Sequence, residues 1–439
     1  MNHLAARRWA LLPLLLLPVL AAGCRTPALE ADTPGAAARA AASPIEGPAE
    51  ALLRARITTV DGTAYEGPLR FGGGEEALWN HQFNGFRSRN PWMDDAPRDE
   101  LPRERHSIEI LGVTISIPGA RYSLRRPFMA RFGDIARIDA DLRMIHVTLK
   151  SGARFDLDRY SADDLADGVS IWDTTHGRVD LDEWKIRSIE FLPAPAASTN
   201  AGAGTALLHG TVQTAEGSFS GWIQWDREEA LGSDLLEGRG ANGDVTLRYD
   251  AIASIQRVGA DRSLMTLRDG RAMELAGTRN AGLGNRGVYV DDARYGRVLV
   301  AWEAFGRIDF SEGGPPLAYQ DFAPGQPLAG TVVTRSGRRL TGRLVYDLDE
   351  SETTETLDAP AAGIDYLISF RLIASIVPEP GARGATVTLQ SGEALALEGS
   401  GDLGFQHGGM LVFVAGQPKA VYVPWAEVAR VELPPPPAH

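Results

Sequence analysis

Three stretches of this chain carry one pattern: Ile57–Phe71 reads ITTVDGTAYEGPLRF, Val212–Asp226 reads VQTAEGSFSGWIQWD, and Val332–Asp347 reads VVTRSGRRLTGRLVYD. Each alternates apolar and polar residues, turns at a glycine (Gly62, Gly217, Gly337), and alternates again up to an aromatic residue (Phe71, Trp225, Tyr346). A period of two on both sides of a turn glycine predicts a β-hairpin with one buried face. The aromatics lie in phase with the inward residues, so they are expected in the core.

The likeness continues outward from the hairpins. Glu75-Glu76-Ala77-Leu78 and Glu228-Glu229-Ala230-Leu231 follow the first two, and Asp349-Glu350 keeps the place in the third, predicting a helical turn or an ordered loop. A second part then opens at Val147, Met265 and Val387 and turns at Gly152, Gly270 and Gly392. Each part ends on an aromatic followed by two apolar residues three apart: Phe132/Ile135/Ile138, Tyr249/Ile252/Ile255 and Phe370/Ile373/Ile376 for the first parts, Trp302/Phe305/Ile308 and Trp425/Val428/Val431 for the second. One second-part ending, Trp184/Ile186/Ile189, has its aromatic displaced by one residue. This spacing fits a single 3₁₀ or α turn entering a last strand. Trp184, Trp302 and Trp425 are expected in the core.

The repeats place module 1 at 55–191, module 2 at 208–310 and module 3 at 328–433. Linkers of Ala, Pro and Gly composition fall at 192–207 and 311–327, and a Pro-rich tail at 434–439. Module 1 alone carries an insertion, 86–127, rich in Arg and acids and with a strand pattern at 108–117. Strand pairs, a central apolar strand and a helical turn before a closing strand resemble SH3-like and Sm-like small β-barrels, and also repeats of uncharacterised secreted bacterial proteins. The expected class is all-β: three tandem modules, each of two small barrels or meander half-units, with a six-bladed β-propeller as the alternative. The linkers interrupting the array favour separate modules, able to fold independently. The resemblance carries architecture and no function.

At the N-terminus Arg7 and Arg8 precede an apolar run, Trp9–Leu20, too short to cross a bilayer, then Ala21-Ala22-Gly23-Cys24. These residues resemble the lipobox of bacterial lipoproteins, with Ala21 where that family usually has Leu. The resemblance implies a signal peptide over 1–23 and a lipid on Cys24. It also implies, with Arg25 rather than Asp next to it, an outer-membrane anchor facing the periplasm. Residues 24–54 then form a tether poor in core-forming residues.

Composition narrows the function. The formal charge is −13, and loss of Arg7 and Arg8 with the leader takes it to −15. An acidic chain without a basic run argues against a nucleic-acid partner. Cys24 is the only cysteine, so neither a disulfide within the chain nor a cysteine metal cage is available. No His pair has ligand spacing, and Gly282-Leu-Gly284-Asn-Arg-Gly287 opens into a strand pattern rather than a phosphate-binding helix. No cofactor, metal or catalytic motif is therefore expected. The expectation is a non-catalytic binding or scaffold lipoprotein, held to the membrane by its lipid and contacting an envelope protein or glycan. A cell-wall hydrolase or a small-ligand sensor are the alternatives. The candidate contact residues are Trp92 in the insertion, Trp79, and Trp222, which is out of phase with Ile223 and so faces outward.

Overall fold

The structure is a computed structural model describing residues 49–72, 76–97, 101, 126–195, 206–277, 280–381 and 383–435, and the backbone of 106–110 and 113–117. The expected signal peptide, Cys24 and the tether up to residue 48 lie outside the described residues. Those described belong to one compact unit.

The architecture is all-β and antiparallel, built three times on one strand order. In module 1 the opening hairpin, Arg54–Thr59 with Ala64–Phe71, lies in the middle of an eight-stranded sheet. The closing strand Ile186–Phe191 returns beside Arg54–Thr59, pairing Ile57 with Ile189. On its other side run Ile135–Ala140, Met144–Leu149 and Arg154–Asp158. The hairpin Val169–Asp173 with Gly177–Leu181 completes the opposite edge. Modules 2 and 3 repeat this order strand for strand.

The six endings behave as their spacing predicts. Phe132–Asp134, Glu183–Lys185, Tyr249–Ala251, Phe370–Leu372 and Trp425–Glu427 are single 3₁₀ turns that deliver the chain into a strand, and Trp302 begins a hydrogen-bonded turn doing the same. The repeated aromatics Phe71, Trp225 and Tyr346 are fully buried. A repeated glycine explains how the sheet packs so closely beside them. A Cβ on Gly67, Gly221 or Gly342 would lie 2.0, 1.9 or 2.1 Å from the carbonyl oxygen of Trp172, Asp291 or Phe413 on the adjacent strand. Only glycine admits that approach.

Four features differ from expectation. The strand orders are open, with no closed barrel among the described residues, and they run through eight-stranded units rather than six blades. Register shifts interrupt the opening strand at Thr58/Thr59 and the strand that begins at Ile135. The modules are also fused. Gly296–Val300 of module 2 pairs with Ile364–Ser369 of module 3, matching Val298 to Tyr366, so one hairpin of module 3 extends the module 2 sheet to twelve strands while its other eight strands form their own sheet. The segment 311–327 is packed rather than open: Phe322 joins the module 1 core and Lys150 caps the Phe322 carbonyl at 3.1 Å. Finally, Trp184 is 45% exposed, because its one-residue displacement turns the ring outward over the Arg159 guanidinium, 4.2 Å from it.

Of the two expectations for the segment after each opening hairpin, the ordered loop is what forms, entered through a tight left-handed turn. Asp226 and Arg227 have φ of 51° and 63°, Asp347 and Leu348 of 48° and 57°, and module 1 uses Gly72 at 59°. The chain then bridges back, Glu76 to Phe71, Glu229 to Trp225 and Glu350 to Tyr346.

The insertion of module 1 is a strap. Its hairpin, His106–Ile110 with Val113–Ile117, matches the strand pattern. Around it, Met93, Ala96 and Leu101 pack on Val345, Leu348 and Leu411 of module 3.

Candidate binding cleft

A cavity of about 610 Å³ opens at the end of module 3 between the turn 379–381 and the last 3₁₀ turn. Its size falls in the range of ligand pockets. Phe405, Tyr422, Trp425 and His407 supply ring surface, and Pro378, Pro380 and Pro424 supply apolar edges.

Comparison with the other modules shows why it is open. In module 2 the indole of Trp302 donates to the Ala260 carbonyl at 2.9 Å, and Arg257 clamps the same turn by donating to the Trp302 carbonyl at 2.7 Å. In module 1 Arg159 holds the equivalent turn through the Glu183 carbonyl at 2.6 Å. Module 3 has Pro378 where module 2 has Arg257, and its turn before Gly384–Leu389 is one residue longer than that before Arg262–Leu267. The holding arginine, Arg335, comes instead from the opening hairpin and donates to the Ala426 carbonyl at 2.9 Å from the other side. The Trp425 indole N–H is thereby left without an acceptor.

His407 forms the floor. Its ring stacks on Trp425 with centroids 3.9 Å apart and planes within 5°, and meets the edge of Tyr346 at 4.7 Å. Nδ1 accepts from the Gly409 N–H at 2.9 Å, which leaves the ring proton on Nε2, and Nε2 has no partner. Burial, then the Arg126 charge, hold this imidazole neutral by pushing its pKa well below the usual value. Two buried N–H donors without acceptors thus belong to one cleft. Such orphans cost roughly 1–3 kcal/mol each, and because neither atom has accessible surface, an acceptor would recover that cost only once the His407–Trp425 stack shifts to expose them.

Behind His407 lies a second, acidic chamber of about 240 Å³, where the strap meets module 3. Asp347, Asp349, Glu350, Glu355, Asp358 and Asp402 converge there. Arg87 enters from the strap, fully buried, to Asp349 at 2.7 Å and Glu355 at 2.6 Å. Arg126 pairs with Asp347, and with Asp349 at 3.3 Å. Burial pushes Glu350 and Asp402 well above the ordinary carboxylate range and Asp358 up to about 6. Arg87 and Arg126 pair with Asp347, Asp349 and Glu355, so this side of the chamber reads as the strap's socket.

In module 2, Asp226, Glu228 and Glu229 bring carboxylate oxygens within 4.8 Å of one another, a spacing that could hold a metal ion. Arg286 already supplies positive charge there, 3.1 Å from Glu228, while its N–H donates to Asp226 at 2.6 Å.

The three candidate tryptophans are not brought together. Trp79 is buried, donates to the Glu50 carbonyl at 2.9 Å and packs on Tyr319 at 4.6 Å, which makes it a packing residue rather than a ligand platform. Trp222 faces outward as its phase requires, but half-buried beside His209 and against Gly313. Trp92 leaves the strap to stack with Arg343 and Phe413 of module 3, at 4.9 and 6.0 Å. His407 and Phe405 lie in no repeated pattern, and Trp425 is legible only as the aromatic of the last ending, expected in the core. The cleft's own signal is the Pro378 and Pro380 pair, where the other modules have no proline. No protein-family model, curated protein or solved structure matches this chain.

Proposed function

We propose that this protein is a non-catalytic binding lipoprotein of the bacterial envelope, anchored through Cys24, whose module 3 cleft receives the ligand. The observation that carries the binding reading is the pair of acceptorless N–H donors, Trp425 Nε1 and His407 Nε2, in the walls of an aromatic cavity of about 610 Å³. The ligand that fits presents acceptors beside an apolar face, as an envelope glycan or an exposed peptide segment does. The hydrolase alternative gains little, because in the acidic chamber Arg87 and Arg126 already pair with Asp347, Asp349 and Glu355. No helix among the described residues is long and apolar enough to cross a membrane.

The test is photo-crosslinking in intact envelopes with a reactive phenylalanine analogue in place of Phe405, which is 66% exposed at the cleft mouth. One partner should be captured, and Trp425→Phe, which removes the unpartnered donor together with part of the ring stacked on His407, should abolish capture while circular dichroism shows the fold retained. Capture unaffected by Trp425→Phe would sink the cleft reading. In the same cells Cys24→Ser should lose palmitate labelling. Retained labelling would sink the anchor alone.

A further inference from the structure

Modules 1 and 2 enclose a separate cavity of about 220 Å³, and its walls are strongly polar. The chain as a whole is acidic, yet three arginines of module 2, Arg227, Arg286 and Arg297, line this space.

The arginines differ in how they are satisfied. Arg286 is paired with Asp226 and Glu228. Arg297 is paired with Asp291 at 3.1 Å and donates to Gln224 at 2.9 Å. Arg227 meets no carboxylate among the described residues; its contact is the ring of Tyr289, 5.4 Å from the guanidinium. Arg297 lies over that same ring at 4.5 Å, so two cations share one aromatic ring. Asp291 offsets the Arg297 charge, which leaves the exposed Arg227 as the cation of this wall that meets no described carboxylate.

A buried imidazole completes the donor set. His81, 1% exposed, lies in the wall. Its Nδ1 accepts from the Ala77 N–H at 3.4 Å, so the ring proton sits on Nε2, which has no partner. Burial first, then Arg297 and Arg70, push its pKa well below the ordinary value, a sign of positive potential at this spot. Two carboxylates, Glu76 and Asp164, also reach the wall. Asp164 is engaged by the Asn84 N–H at 2.7 Å, and Glu76 has a partner of its own.

We propose that this cavity binds a small oxyanion, a phosphate or carboxylate group, held by the Arg227 guanidinium and the His81 Nε2–H. Arginine offers a planar fork matched to both groups, and a neutral N–H adds direction without further charge. The site is independent of the module 3 cleft and of the lipid anchor.

Isothermal titration of the full-length protein with inorganic phosphate and, separately, with acetate tests the proposal, at constant ionic strength set with chloride. Saturable one-to-one binding of either anion is expected, and whichever binds identifies the group. Arg227→Asn removes the charge with a residue that tolerates positive φ, and should weaken binding about tenfold or more, as losing a charge-assisted hydrogen bond does. Arg227→Lys should retain most of it. The His81 ring N–H resonance should shift on titration in the parent. Absence of saturable binding by both anions, or unchanged affinity in Arg227→Asn, would overturn the site.

Discussion

Glu229 shows how one repeated residue takes its chemistry from its surroundings. It follows the left-handed turn of module 2 and bridges back to Trp225, with one oxygen held by Asn280 at 2.8 Å and the other buried without a partner. Burial pushes its pKa from the ordinary 4.5 up to about 8. The folded chain therefore keeps a proton that the unfolded chain releases across that window. Stability contributed by the protonated form is present at pH 4.5 and is lost as pH rises through 8. Glu229→Gln keeps the Asn280 acceptor and removes the titration. It should exceed the parent in stability by roughly 1–2 kcal/mol at pH 8. The difference should vanish near pH 4.5, as urea denaturation at the two pH values would show. An equal difference at both would mean that the carboxylate does not titrate in this window.

At the scale of elements, the insertion of module 1 binds module 3 through buried charge. Arg87 is the centre of that contact: it pairs with Asp349 and Glu355 and donates to the Asp349 carbonyl at 2.9 Å. Asn90 adds a bond to the Leu348 carbonyl at 2.7 Å. Removing one partner of such a network leaves buried charge uncompensated, so Arg87→Ala should cost about 3–5 kcal/mol. Arg89→Ala, two residues along, breaks an exposed pair with Asp94 and should cost less than about 1 kcal/mol. Chemical denaturation of the two variants would measure the contrast. Equal effects would show that the strap is held by its apolar residues alone.

For the whole molecule, the shared sheet and the strap change what the repeats imply. Three units with linkers suggest beads that melt separately. Instead modules 2 and 3 share one sheet and one core, and Tyr319 and Phe322 tie the second linker to module 1. Calorimetry of the described body should give one dominant transition. Deleting residues 88–126 removes Arg126 from the socket and uncovers Leu411 and Val345, and should lower the melting of module 3 as well as module 1. Unchanged melting of modules 2 and 3 would restore the picture of independent units.

Local patterning determined the strands, the turn glycines, the six endings and the triplication, because alternation and three-residue spacing act within a few residues and each copy repeats the test. It also located the insertion by length alone. Tertiary structure decided everything that depends on which surfaces meet. Trp79 became packing because Tyr319, 240 residues away, lies on it. Trp184 turned outward where Trp302 and Trp425 did not. The cleft opened because Pro378 replaces a clamping arginine and the Trp425 N–H lost its carbonyl, a deficit visible only when the turn and the ring are seen together. A hydrogen bond left unmade has no residue letter of its own, so chemistry built on it is decided by the folded neighbours.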